Sequence, residues 1–422
     1  MGPVLEGDGA ALSGVGVTRA AFAFIFVTVL LDMLALGVIV PVLPALVVAL
    51  SGGETARGAT IYGLFGTTFA AMQFVFSPVL GSVSDRFGRR RVILLSNFGL
   101  GLDYVLMALA PSLWWLFLGR VISGITSSSF PTAMAYIADV TEPRDRAAKF
   151  GMLGAAFGVG FIVGPSVGGL LGGISLRAPF WGAAALSLAN AAYGFFILPE
   201  SLPPDRRTPF HWRRANVLGS FRMLRARPLL LALGAASFLS MLAHDSAPTT
   251  FVLYSQYRYA WTERTIGLVI GLVGAASLVV QGGLVGRLVA WLGERKAMAT
   301  GFLCGAAGMA VYALAPTGAL FLCGLPFTAL YGLATPSLQS VMTSRVSASE
   351  QGQLQGAIGS LNGVANMIAP VLFTGIFAEA VGRFRDWHVV GAPFLLAAAL
   401  LVAAFAVGWR VTSDSRLTTS DS

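Results

Sequence analysis

The stretch GSVSDRFGRRR, Gly81 to Arg91, packs one aspartate, four arginines and two glycines between apolar runs near 59–82 and 92–111. Such a knot of charge is unusual in this chain, which has 422 residues, 56% hydrophobic and only 11% charged. Soluble domains carry roughly 25% charged residues. A water-facing surface cannot be assembled from so few, so the chain reads as a membrane protein.

A helix needs about 20 apolar residues to cross a bilayer. Apolar spans fall near 20–48, 59–82, 92–111, 114–138, 150–173, 178–198, 229–254, 265–290, 297–315, 318–342, 355–380 and 388–409. The expected fold is therefore an all-α membrane protein with twelve transmembrane helices. The longest polar stretch, Pro199 to Arg227, divides them into two groups of six. The expected organisation is a tail over 1–19, a six-helix bundle over 20–198, a central loop over 199–227, a second bundle over 228–410 and a tail over 411–422. The first apolar run is too long for a signal-peptide core and lacks a charged leader, so it reads as a retained span.

The net charge of +9 does not point to nucleic acid, because the basic residues lie between apolar runs and not on one polar face. They alternate by loop. Arg86, Arg89, Arg90 and Arg91 follow span 2; Arg144, Arg146 and Lys149 follow span 4; Arg206, Arg207, Arg213, Arg214, Arg222, Arg225 and Arg227 occupy the central loop; Arg295 and Lys296 follow span 8. The opposite loops are poorer, with Arg57, Arg177, Arg258 and Arg264, and the loop holding Arg383 and Arg385 is the least clean. By the positive-inside rule both termini and the central loop are expected in the cytoplasm. Cys304 and Cys323 belong to no Cys/His cluster and read as packing residues.

A shift of 205 residues lays Gly81, Gly88, Arg90 and Arg91 on Gly286, Gly293, Arg295 and Lys296, and Pro131 on Pro336. The same shift lays Gly151, Gly154, Gly158 and Pro165 on Gly356, Gly359, Gly363 and Pro370. One offset held over three separate regions marks two related halves. Parallel repeats of this kind are a transporter layout. The echo of the opening stretch is incomplete: Ala290 stands at the place of Asp85, and Glu294 at that of Arg89.

The pattern Gly81, Asp85, Arg86, Gly88, Arg89 and Arg90 after the second span resembles the loop motif of the major facilitator superfamily. Its glycines suit close helix approach and a tight turn, and Asp85 suits the positive end of a facing helix. The resemblance implies a latch: Asp85 at a helix starting near Gln351–Gln355, and a relay from Asp85 through Arg89 to Asp139. A solvated positive-inside loop is the plainer alternative. FGVGFIVGPSVGG, with Gly158, Gly160, Gly164, Pro165, Gly168 and Gly169, resembles the antiporter motif of proton-linked drug exporters. Glycine rows also pack helices in lipid without any transport role.

Asp32 lies inside the first apolar run and Arg120 inside the fourth. Ionisable residues inside a membrane span are functional candidates or structural ion pairs, and an arginine beside a carboxylate favours its charged form. LDMLALGVIVPVLP, MQFVFSPVLGSVSDRFGRR, LDYVLMALAPSLWWLFLGR, ISGIT, AYIAD, GLVGRLVAWLGER, TPSLQSVM and QGQLQG are similar to stretches of the bacterial tetracycline/proton antiporters. Asp32, Gln73, Ser84, Asp85, Asp103, Arg120, Asp139, Gln281 and Gln339 fall in them. The resemblance implies a multi-pass protein of the bacterial inner membrane that exports a metal–tetracycline chelate against protons. It implies Asp32, Asp103 and Arg120 in proton and substrate coupling, and Gln73, Gln281 and Gln339 in the cavity.

The second half departs from that pattern. Ser277 stands where those pumps have a span 8 histidine, and Gly305 where they have a span 9 aspartate. Span 7 carries His244 and Asp245 instead, either as a relocated proton site or as solvated residues near the end of the span. Asn362 and Asn366 in span 11 are cavity candidates or partners of each other. There is no GxxxxGK[ST] and no HExxH, so no cofactor and no resident metal are expected, and a proton gradient is the expected drive. The expected partners are a small molecule, protons and the lipid bilayer, with the chain a monomer. A multidrug or metabolite exporter remains the alternative within transport. A membrane enzyme is the remote one, since His211, His244 and His388 are scattered.

Overall fold

The computed structural model describes residues 8–127, 129–208, 224–225, 227–347 and 349–413, with side chains from residue 22 onward. His211, Arg213, Arg214 and Arg222 lie outside the described residues. Every regular element among the described residues is helical. This is the expected solution for a chain in lipid, where each backbone donor and acceptor must be satisfied within its own segment.

Eleven helical stretches are long and apolar enough to span a membrane. Span 1 runs Asp8–Ile39 and then Leu43–Leu50; span 2 is Thr55–Phe87 and span 3 Arg89–Leu109. Span 4, the twelfth, is two shorter helices, Leu113–Thr126 and Ser129–Val140. Span 5 is Arg146–Gly172 and span 6 Ala178–Ile197. Span 7 is Pro228–His244 and Ser246–Tyr259. Span 8 runs Glu263–Val279, then a π turn Val280–Leu284, then Val285–Leu292. Span 9 is Glu294–Leu314, span 11 Gln351–Val381 and span 12 Ala392–Ser413. Span 10 combines Gly318–Leu322, Leu325–Leu330, a 3-10 turn Tyr331–Leu333 and Ala334–Thr343.

The opening stretch is not a loop. Gly81 to Phe87 continue the helix of span 2, Arg89 to Arg91 begin span 3, and Gly88 alone breaks the helix between them. Its φ of 103° is open to glycine and costly for other residues.

The chain divides into two units, Met1–Val40 with Met72–Ala215, and Pro41–Ala71 with Asn216–Ser422. A cut at the central segment would place Pro41–Ala71 in the first. That segment, the end of span 1 and the first part of span 2, makes contacts with span 11 in the second. A Cβ on Gly66 would lie 2.8 Å from Pro370 Cβ, and Thr67 Oγ1 donates to the Met367 carbonyl at 2.8 Å.

In the first unit span 1 packs on spans 5 and 6, and span 3 on spans 4 and 6. In the second, span 7 packs on spans 11 and 12, and span 9 on spans 10 and 12. The pairings repeat with the internal duplication. The first core gathers Phe24, Ile25, Ile93, Tyr136 and Leu153. The second is more aromatic: Phe321 stacks on Tyr312 at 4.0 Å, and Phe394 meets Tyr254 edge-on at 5.0 Å.

Two arginines on the poorer loops have structural partners. Arg177 donates to the carbonyls of Ala108 (2.7 Å) and Ala110 (2.8 Å), at the end of span 3. Arg258 donates to the carbonyl of Ala315 (3.2 Å), at the end of span 9, where Tyr259 donates as well (2.8 Å). Cations at a helix C-terminus satisfy its last carbonyls and oppose its dipole.

Candidate functional site

In the first unit the structure gathers Asp32, Asp103 and Arg120 into buried surroundings. Asn190 Nδ2, from span 6, donates to Asp32 Oδ1 at 3.0 Å and to the Thr28 carbonyl at 3.1 Å. Ser123 Oγ donates to Asp103 Oδ2 and accepts from Arg120 Nη2 at 3.2 Å. The arginine thus reaches Asp103 through a shared hydroxyl. Arg120 Nη2 also contacts Met107 Sδ at 3.2 Å. Gly119 makes this approach possible, since a Cβ there would lie 3.0 Å from Asp103 Oδ1 and 2.6 Å from Met107 Cγ. Tyr104, wholly buried, lies within electrostatic reach of Arg120, Asp103 and Asp32. Thr28 Oγ1, Ser187 Oγ, Asp103 Oδ1 and Tyr104 Oη are buried without a hydrogen-bond partner among the described residues. Unpaired buried polar atoms cost about 1–3 kcal/mol each, so this cluster is built for something other than stability alone.

Asn190 and Ser123 were not singled out from sequence. Asn190 carries a readable signal, an amide inside LSLANAAYG, which lipid tolerates only with a partner. Ser123 carries none, because serine is common in membrane helices.

Around the opening stretch Arg89 is the hub. Its Nη1 lies 2.5 Å from Asp85 and donates to Ser84 Oγ at 2.7 Å, and its Nε donates to Asp139 Oδ2 at 3.2 Å. Ser201 Oγ also donates to Asp139, at 3.1 Å. Arg86 is exposed, over the ring of Phe87 at 5.0 Å. Arg90 Nη2 donates to the Phe195 carbonyl at 2.6 Å. Gly81 faces open space, and a Cβ there would meet nothing within 4 Å. Sequence reading missed Glu200. Its Oε1 accepts from the backbone N–H of Arg89 at 2.9 Å, of Leu202 at 3.2 Å and of Arg90 at 3.5 Å. Glu200 therefore caps the N-terminus of span 3, where orphan N–H groups and the helix dipole favour an anion. A Cβ on Gly88 would lie 2.1 Å from Glu200 Oε2. Gly88 is needed twice, for its positive φ and for the space this carboxylate fills.

The glycine row of span 5 packs against span 1. Cβ atoms on Gly160 and Gly164 would lie 2.7 Å from Met33 Cβ and 2.8 Å from Gly37 Cα, and one on Gly168 would lie 2.0 Å from the Val38 carbonyl oxygen. Pro165 Cδ in turn lies 2.9 Å from a Cβ position on Gly37. Gly169 is buried, whereas Gly158 borders open space.

In the second unit Gln281 lies in the π turn of span 8 and is exposed. Gln339 Nε2 donates to Gln355 Oε1 at 2.9 Å. Asn362 and Asn366 are half-buried, one turn apart on span 11, while Gln73, half-buried on span 2, belongs to the first unit. His244 and Asp245 stand at the break of span 7, at mid-length of the helical stretch Pro228–Tyr259 and not at its end. The start of span 11 is preceded by Glu350, which accepts from the Ser347 N–H (3.0 Å) and hydroxyl (2.9 Å) and from Arg227 (2.8 Å). The two Ser347 bonds, then Arg227, hold its carboxylate below the usual range.

Comparison with known proteins agrees with this architecture. The family model described as Major Facilitator Superfamily matches residues 25–370. "Tetracycline resistance protein, class C" of Escherichia coli is 36% identical over 89% of this chain and 95% of its own length. "Multidrug resistance protein 2" of Bacillus subtilis is 27% identical over 91% of this chain and 93% of its own length. Among solved structures, a bacterial homolog of the human lysosomal transporter Spinster, crystallised inward-facing and unoccupied, superposes with a TM-score of 0.76. That match is at 16% identity and covers 96% of this chain and 98% of the other.

Proposed function

Because the chain belongs to the Major Facilitator Superfamily, we propose that it is a proton-coupled exporter of a tetracycline-type molecule, a multi-pass protein of the bacterial inner membrane. The observation that carries this reading is the pair of buried carboxylates, Asp32 on Asn190 and Asp103 on Ser123 beside Arg120, inside apolar spans. An intramembrane carboxylate is costly, and one kept at that cost is a functional candidate by default.

In this reading Asp32 takes a proton when the cargo leaves and gives it up when the cargo binds. Ionised, it accepts from Asn190 at Oδ1; protonated at its other oxygen, it keeps that bond and gains an O–H that needs an acceptor of its own. Arg120 favours the charged form of Asp103, and the Ser123 hydroxyl ties the two together. A proton on Asp103 therefore removes the negative charge that Arg120 faces and lets the Ser123 hydroxyl turn to accept where it now donates. Each proton moving down a membrane potential supplies about 2.3 kcal/mol per 100 mV. The basic loops support an orientation with both termini in the cytoplasm, and the Asp85–Arg89–Asp139 network acts as a latch. The chain works as a monomer, without a cofactor, and its cargo is a metal chelate.

A second reading, a multidrug or metabolite exporter, is favoured by Ser277 and Gly305 in the second half. Susceptibility of a pump-deficient host separates the two. Protection against tetracyclines is expected, and it is expected to vanish in Asp32→Asn. Protection against cationic dyes alone would select the second reading. Unaltered protection in Asp32→Asn would remove the proton role from that residue.

A further inference from the structure

Three irregular segments of the second unit meet around one tyrosine. Span 7 breaks at Asp245, between helices ending at His244 and starting at Ser246. The break has a covalent cause: Pro248 lacks the N–H that would bond the His244 carbonyl. Ser246 Oγ donates to the Ala243 carbonyl at 2.7 Å, and Thr249 Oγ1 to the Asp245 carbonyl at 2.6 Å. Side-chain hydroxyls thus add bonds to the carbonyls on either side of the break, as an interrupted helix in lipid favours. Span 10 turns 3-10 at Tyr331–Leu333, and the π turn of span 8 packs on that segment, with Gln281 Cγ 3.4 Å from a Cβ position on Gly332. π turns and interrupted membrane helices occur preferentially at functional sites.

Tyr331 joins these parts. Its hydroxyl donates to the Ser240 carbonyl at 2.9 Å and shares a 2.6 Å hydrogen bond with Ser240 Oγ. Ser240 lies one turn before His244, on the same helix face. The tyrosine ring lies 5.9 Å from the His244 ring, tilted by 32°. Tyr331 and Ser240 are buried, while His244 is exposed and Asp245 half-buried. Gly305 leaves the space that the ring occupies: a Cβ there would lie 2.8 Å from Tyr331 Cδ2.

We infer that the second half carries a proton-binding site of its own, the imidazole of His244 with the charge of Asp245 beside it, and that Tyr331 positions it. The inference rests on the proposed proton exchange and extends it to a second, separate group. Neighbouring residues diverge around a helix, so Asp245 acts on the imidazolium through its charge. Tyr331 is committed to Ser240 and transfers no proton. It fixes the last turn before the break and thereby the ring it touches. Of the other titratable groups, Tyr254, Arg258 and Tyr259 lie on span 7 beyond the break, bonded to carbonyls of span 9 and its end, and Tyr312 on span 9 is hydrogen-bonded to Thr328. Glu379 lies near the end of span 11, level with Tyr257, which meets Phe377 at 6.2 Å. That level is about 20 Å along span 7 from His244. Arg410 lies in the last turn of span 12, close to Ser413, which accepts from Arg295.

With three histidines in the chain, ¹⁵N-histidine labelling in lipid nanodiscs reads the site directly, and His244→Gln assigns its signal. The His244 signal is expected to show a change of protonation state as the pH is varied. Asp245→Asn is expected to lower its midpoint by about half a pH unit or more, because a stabilising negative charge is lost. Tyr331→Phe, which keeps the ring, and Ser240→Ala, which removes the same bond from the other side, are expected to move the His244 midpoint and leave that of His388 in place. A His244 signal that keeps one protonation state at every pH where the protein stays folded, or that ignores all three substitutions, overturns the inference. Absence of tetracycline transport in vesicles would instead remove the proposed cargo, and the spectra would still decide the site.

Discussion

Gly88 and Gly293 stand at repeat-related positions, and each is the single residue between two spans. Their backbones agree, with φ of 103° and 76° and ψ of 149° and 154°. In both halves the second residue after the glycine lies over an aromatic ring of the last span: Arg90 over Phe195 at 5.9 Å, and Arg295 over Trp409 at 4.1 Å. The charges differ. Gly88 is walled by Glu200, and Arg89 binds Asp85, Asp139 and Ser84. Gly293 faces open space, and Glu294 accepts from Ser340. The turn and the charge network are thus separable. The turn serves the connection between helices and occurs twice, whereas the network, among the described residues, is confined to the first half.

The sharpest way to break this comparison is alanine at the two glycines. Gly293→Ala meets only the strain of a positive φ with extended ψ, at about 1–3 kcal/mol. Gly88→Ala meets the same strain and also overlaps Glu200, which adds about 1–3 kcal/mol. Denaturation in detergent is expected to rank Gly88→Ala as clearly less stable, with partial recovery on adding Glu200→Ala. Equal losses at both glycines would mean that Glu200 yields freely. Next in size, Arg89→Ala is expected to lower vesicle export about tenfold, equivalent to about 1.4 kcal/mol. Glu294→Ala should stay within about twofold of wild type, and matching losses would place a working latch in both halves. The smallest expected effect is that of Glu200→Gln, which keeps the shape and removes the capping charge, at about 0.3–1 kcal/mol. Its thermal midpoint should fall less as salt rises, and a salt-independent change would point to shape alone.

Much of this was legible beforehand because membranes simplify the problem. Apolar runs had to be helices, and the 205-residue offset anticipated the repeated turn at Gly293. What remained hidden is physical in kind. Glu200 reads as one of several charges in a polar segment, and only folding brings it to the start of span 3. Ser123 and Tyr331 look like ordinary membrane residues until their partners are known. Gly305 reads as a vacancy in sequence, yet in space it is filled by the ring of Tyr331. The interruption of span 7 traces to Pro248, a signal left unread in the sequence, and a proline does not reveal what packs beside it.

The arginines that cap spans 3 and 9 carry a further lesson about duplication. Ala110 and Ala315 are separated by the same 205 residues as the two turns, yet Arg177 comes from the connection after span 5 and Arg258 from the end of span 7. Two unrelated side chains have arrived at equivalent oxygen atoms. The architecture specifies the acceptor and leaves the choice of donor open. A helix that stops at the edge of lipid must find a proton donor for its last carbonyls, and each half found one by a different route.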